Sequence, residues 1–233
     1  MNERQKSLLK TIVSQYIKTA EPISSKLIAE AGRFDLSSAT IRNEMAELED
    51  QGYIFHPHTS AGRMPTEKGY KFYIENFLLE SKLAKKDQEV IEKTLKYFSG
   101  TEIQVLKDLA RQISELCHNA VFIAFSDRDF YYTGLSNLFS QPEFFEHQLI
   151  HHITKVIDHL DEVMGQIYQE IDQEVKISIG SENPFARDCS SVIARYQNKN
   201  NTGLLGIIGP TRMDYQNNFS LIKCSQELIN QVS

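Results

Sequence analysis

At 233 residues, with 41% hydrophobic and 24% charged residues, the chain has the size of one or two domains and enough apolar sequence for a core without disulfides or metals. No apolar run approaches the ~18–20 residues of a membrane span, and the polar start MNERQKSLLK does not read as a secretory signal. A net charge of −6 and a pI of 5.7 weigh, at face value, against a nucleic-acid binder.

Leu8, Leu9, Ile12, Val13, Tyr16 and Ile17 recur at helical spacing, which predicts a helix over 3–19 interrupted by Pro22. Ser24 or Ser25 can cap a second, short helix running to Ala31, ended by Gly32. Ser37 then caps a third helix to about Gln51, closed by Gly52. Three helices in this span with short links suggest a helix-turn-helix. Tyr53-Ile54-Phe55, the polar stretch His56–Gly62 and Arg63-Met64-Pro65 read as strand, tip and return strand, the pattern of a wing. Thr66 caps a further helix with Tyr70, Tyr73, Ile74, Phe77 and Leu78 on one face.

Residues 81–89 are polar and suit a linker, and 81–118 as a whole reads as linker helices. The pattern then changes to short runs at 120–125, 130–135, 174–180, 190–196 and 203–209, bounded by Gly, Pro, Asn and Asp, which predict strands of one sheet. A long helix over about 143–172 and a last one over about 216–232 complete an α+β second domain, 119–233, behind a first domain, 1–80.

On a wheel of ~100° per residue, Ile41, Met45 and Leu48 form the core face of the third helix. Ala39 and Asn43 then point outward, flanked by Thr40 and Arg42. Small residues let a backbone approach a groove wall, and Asn and Arg are the side chains that read adenine and guanine edges bidentately. Arg42 has no acid at its helical neighbours Ser38, Ala39, Met45 and Ala46. The charge also divides: residues 1–80 hold ten Lys/Arg and eleven Asp/Glu, and the remainder 15 and 20. Cations gather at Arg63, Lys68 and Lys71, while Glu44, Glu47, Glu49 and Asp50 crowd an earlier stretch. DNA senses the local patch, not the sum.

TIRNEMAELEDQGYI (40–54), followed by HPHTSAGRMPTEKGYKFY (56–73) and preceded by EPISSKLIAE (21–30), resembles the winged-helix domain of the HrcA family of heat-inducible transcription repressors. GLSNLFSQPEF (134–144), IGSENPF (179–185), RDCSSV (187–192) and IGPTRMDY (208–215) are similar, in family order, to its GAF-like regulatory domain. Family members are longer, with an inserted dimerising domain ahead of the GLSNLF-like motif; only about 17 residues separate Leu116 from Gly134 here. The insert and part of that domain's first half are therefore expected to be absent.

The resemblance implies a repressor that binds double-stranded DNA as a homodimer, on an inverted repeat upstream of chaperone genes, with the chaperonin keeping it active. Base reading falls to Ala39, Thr40, Arg42 and Asn43 in the major groove. Phosphate contacts fall to Lys26, Arg63, Lys68 and Lys71, with Ser37, Ser38, Thr59 and Ser60 as neutral donors. Arg63 and the wing histidines, His58 among them, are candidates for the minor groove. Leu149, Ile153, Val156, Leu160, Val163, Ile167 and Ile171 repeat at steps of three and four, close to a coiled-coil seam, which makes this helix or the helix 101–117 a candidate dimer interface.

Other features read more plainly. Tyr53, Tyr70 and Tyr73 suit a core rather than base stacking. His56 and His58 lack a nearby cysteine to complete a metal site, and His147, His151, His152 and His159 suit a solvated helix face. Gly209–Arg212 suits a strand-to-helix turn rather than an anion loop, with Arg212 and Asp214 able to pair. The scattered cysteines Cys117, Cys189 and Cys224 point to a reducing, cytoplasmic compartment and to packed thiols. With no P-loop, GxGxxG, HExxH or GxSxG, no enzyme and no cofactor or metal is expected. The alternative is a ligand-sensing regulator whose second domain binds a small molecule.

Overall fold

In a computed structural model of the protein, the described residues are 1–32, 34–58, 61–78, 82–97, 100–145, 160–172, 174–197 and 201–231. Contacts divide the chain into two units, Met1–Leu78 and Leu79–Ser233.

The first unit opens with α1 (Glu3–Thr19), whose capping box joins Asn2 and Gln5. Next come α2 (Ser25–Glu30), capped by Ser24, and α3 (Ser38–Asp50), capped by Ser37 through the Thr40 amide at 3.1 Å. Strands β1 (Ile54–Phe55) and β2 (Met64–Pro65) pair antiparallel, and α4 (Glu67–Phe77) follows from its cap Thr66. Leu8, Leu9, Ile12 and Val13 of α1 are buried with Ile28, Ile54, Tyr70 and the expected α3 set Ile41, Met45 and Leu48. Each such side chain contributes about 1.5–3 kcal/mol on leaving water.

Two glycines shape the hairpin. Gly52 turns the chain out of α3 at φ +76°, a left-handed conformation that other residues adopt at a cost. At Gly62 a Cβ would lie 2.4 Å from the Ile23 carbonyl carbon. That close approach lets Ile23 and Arg63 exchange two backbone hydrogen bonds, at 2.9 and 2.8 Å, so the return strand is tied to the segment entering α2.

The second unit contains α5 (Lys85–Tyr97), α6 (Glu102–Cys117), β3 (Ala120–Ala124), β4 (Phe130–Thr133), α7 (Leu135–Phe139) and α8 (Leu160–Glu170). It continues with β5 (Lys176–Ile179), β6 (Cys189–Gln197), β7 (Thr202–Pro210) and α9 (Tyr215–Gln231). All five strands pair antiparallel in the order β4-β3-β7-β6-β5. Side-chain alternation sends Phe122, Ile193 and Leu204 to one face, where they bury Met164 and Ile167 of α8 and Ile171 just after it. The other face receives α9, with Tyr215 Oη 2.8 Å from Ser190 Oγ, and α5 and α6 pack beside it. The expectation of a single sheet in an α+β unit holds.

Three expectations change. The helices of 81–118, expected as linkers, pack against each other, against β3 and against α9, because Ile91, Leu106, Leu109 and Ile113 are buried there. The strand expected to reach Leu135 ends at Thr133: Gly134, at φ +74°, turns the chain into α7. The helix expected over 143–172 does not start at 143. Pro142–Phe145 is a 3-10 turn, a helix is described over Leu160–Glu170, and 146–159 lie outside the described residues. Leu160 and Ile167 within that helix, and Ile171 just after it, are buried against the sheet of their own chain. Leu149, Ile153 and Val156 lie outside the described residues.

Candidate nucleic-acid interface

The outer face of α3 is as the helical wheel places it. Ala39, Arg42, Asn43 and Ala46 are exposed and Thr40 is half-buried. Among the described residues neither Arg42 nor Asn43 has a hydrogen bond or ion pair, so five guanidinium and two amide N–H donors face outward unspent.

The acids of α3 go elsewhere. Glu44 is buried and pairs with Arg4 of α1. Glu47 accepts from Gln5 Nε2 at 2.5 Å. Glu49 Oε1 lies 2.6 Å from His56 Nδ1 and accepts from the His56 amide at 3.2 Å. Its other oxygen is 2.9 Å from Arg63 Nε, an ion-pair distance without hydrogen-bond alignment. Three carboxylates of α3 are thus engaged by partners on α1 and the hairpin, and none of them pairs with Arg42.

The cations and hydroxyls expected at phosphates divide. Lys26 is exposed, 3.7 Å from Glu30 one helical turn away, a contact of little energy in water. Lys71 is half-buried on α4, and His58 is exposed at the hairpin tip. Ser37 is occupied as the α3 cap, its hydroxyl also 2.9 Å from Thr40 Oγ1. Ser38 is half-buried with its hydroxyl 3.1 Å from that of Ser25, which joins α2 to α3. Lys68 donates to the Gln51 carbonyl at 2.8 Å and lies 4.5 Å from the Tyr53 ring centroid. It therefore closes the C-terminal end of α3, where a cation suits the helix dipole. Arg63 is turned inward, its side chain only 12% exposed. Thr59 and Ser60 lie outside the described residues. A cleft of about 360 Å³ separates α3 from the hairpin, lined by Ser24, Arg42, His56 and Arg63 among others. Glu49 is the residue whose role the sequence concealed: nothing in the spacing to His56 and Arg63 marks a contact.

The second unit offers little chemistry. Burial pushes the Cys117 and Cys189 thiols up to about 12 and raises Cys224, so these thiols stay protonated near neutral pH. Arg212 pairs with Glu143 and donates to Gln141 Oε1 at 2.8 Å; Asp214 instead accepts from the Asn217 amide at 3.0 Å. The Gly209–Arg212 segment thereby ties the turn before α9 to the 3-10 turn. His147, His151, His152 and His159 lie outside the described residues. Among the described residues no three His, Cys, Asp or Glu side chains gather as a metal site, and no helix is long and apolar enough to cross a membrane.

Comparison with known proteins adds the family. A curated relative from Natranaerobius thermophilus named heat-inducible transcription repressor HrcA is 27% identical, over 95% of this chain and 94% of the relative. Another of that name from Acetivibrio thermocellus is 44% identical over 114 residues, 49% of this chain and 31% of the relative. With one from Clostridioides difficile, 27% identical, the alignment covers 99% of each protein and runs to 336 positions, beyond the 233 residues of this chain. A solved structure described as a hypothetical protein shares the fold across the whole of both chains, with a TM-score of 0.79 at 20% identity. The family model described as HrcA protein C terminal domain matches residues 72–218, more than half of the chain, and the chain therefore belongs to the HrcA family, whose C-terminal domain is GAF-like.

Proposed function

We propose that the chain is a sequence-specific DNA-binding repressor of heat-shock genes, its first unit a winged helix-turn-helix whose α3 enters the major groove. The observation that carries this reading is the outer face of α3, where Arg42 and Asn43 are exposed and have no partner among the described residues, while Glu44, Glu47 and Glu49 are engaged by α1 and the hairpin. Ala39 and Thr40 complete the base-reading set, and Lys26 and Lys71 supply phosphate contacts. The relatives' name, heat-inducible transcription repressor, supports the same role.

One such unit reads few base pairs, so a homodimer on an inverted repeat supplies the selectivity. The greater length of the aligned relative fits the absence of the family's dimerising insert. The described part of the expected seam, Leu160 and Ile167 among it, is buried in its own chain, so these residues are not proposed as the dimer contact. The chaperonin, implied by the family, is the partner that keeps the repressor active.

A gel shift on an inverted-repeat duplex, with and without chaperonin, tests the reading. Arg42→Ala is expected to lose about 1–3 kcal/mol of discrimination at particular base pairs. Unchanged binding and unchanged base preference in Arg42→Ala would remove α3 from the groove. Ligand sensing has weaker support: the apolar cavity beside Phe122, Leu138, Phe185 and Cys189 holds about 40 Å³, against roughly 300–1,000 Å³ for small-molecule sites.

A further inference from the structure

We infer that Glu49 is a positioning residue of the DNA interface: its carboxylate holds both legs of the hairpin on the last turn of α3 and so sets the angle of the wing to the base-reading face. The inference rests on the DNA-binding reading above and goes beyond it by assigning a residue that touches no DNA.

Glu49 lies seven residues after Arg42, two turns along the same side of α3, at a rise of about 10 Å. One carboxylate oxygen takes the His56 ring nitrogen at 2.6 Å and its amide at 3.2 Å, where the chain leaves β1. The other forms an ion pair with Arg63, 2.9 Å from its Nε, where the chain enters β2. A strand pair of two residues each has too few ladder bonds to fix its own direction. The clamp supplies that direction from a rigid helix. Arg63 extends it, because its backbone is bonded to Ile23 ahead of α2 while its side chain reaches α3. Three elements thus meet at one ion pair, whose net charge is zero and whose Glu49 side chain is only 28% exposed.

Charge alone opposes this role, which makes the sign of the effect decisive. Removing an acid beside a polyanion strengthens binding if only electrostatics act. It also frees Arg63 for the minor groove if Arg63 is a direct contact. A positioning role gives the opposite sign.

The test uses the full chain and a duplex that it enriches from a randomised library, with an unrelated duplex of equal length as the non-specific probe. Glu49→Gln is expected to bind the enriched duplex roughly tenfold more weakly, the scale of one lost charge-assisted hydrogen bond, and the unrelated duplex no more weakly than before. Asp50→Asn makes the same charge change at an exposed neighbour with no partner among the described residues. It is expected to keep the specific affinity. Should Glu49→Gln not fold by its thermal transition, Arg63→Gln carries the test: a weaker specific complex with an unchanged salt slope supports the clamp. A slope smaller by about 0.9 marks Arg63 as a phosphate contact and overturns the clamp. Equal or tighter specific binding by Glu49→Gln, or an equal loss in Asp50→Asn, also overturns it. If the wild-type chain enriches no duplex at all, the DNA-binding reading itself has failed, and the clamp goes with it.

Discussion

The outer face of α3 and the apolar stripe of α8 lie in different units and use their side chains in opposite ways. On α3, Arg42 and Asn43 are exposed with no partner among the described residues, and Glu44, Glu47 and Glu49 are drawn off by α1 and the hairpin. On α8, Leu160, Met164 and Ile167 are buried against the sheet of their own chain. Both helices carried a pattern that suited an external partner. A polar outward set keeps its donors hydrated while it waits, at no cost. An apolar stripe left in water forfeits about 25 cal/mol per Å², so the nearest apolar surface in the same chain takes it.

That contrast can be broken at three points. The largest effect is expected from Ile167→Ala, which removes buried atoms between α8 and the sheet. A loss of about 2–5 kcal/mol from the unfolding free energy of the second unit is the scale of such a deletion, and it should be the same at low and high protein concentration in urea unfolding. A loss that grows with concentration would return the stripe to a dimer interface. Lys68→Met comes next. It removes the contact to the Gln51 carbonyl and the Tyr53 ring, at a cost of about 1 kcal/mol to the first unit. The slope of log affinity against log salt should not move; a smaller slope would make Lys68 a phosphate contact after all. The smallest effect belongs to Lys71→Ala, expected to weaken DNA binding evenly across sequences and to lower that slope by about 0.9. An unchanged slope would take Lys71 out of the interface.

Much of the first unit was legible in the residues. Ser24, Ser37 and Thr66 cap the helices they were expected to cap, since a cap is a local bond between a side chain and an amide three residues on. The core face of α3 followed from its period. The wing cations were less legible. Arg63 and Lys68 looked like phosphate contacts because a cation beside a hairpin tip has no local partner in the sequence. Their partners, Glu49 and the Gln51 carbonyl, lie 14 and 17 positions away. In the second unit the strands were readable from alternation, but α7 was not, because Gly134 hides a change of direction inside an apolar run.

By itself the sequence determined the helices of the first unit, most of the strands and the outward set on α3, which follow from spacing within a few residues, and it carried the motifs that resemble the family. Only the tertiary structure decided which charges are spent. It paired Glu44 with α1, closed α3 with Lys68 and turned Arg63 onto Glu49. The reason is range: a helical period or a cap is set by neighbours in the chain, whereas an ion pair forms wherever folding brings opposite charges within a few ångströms. The same reason seats the described part of the apolar stripe, from Leu160 on, against the sheet of its own chain.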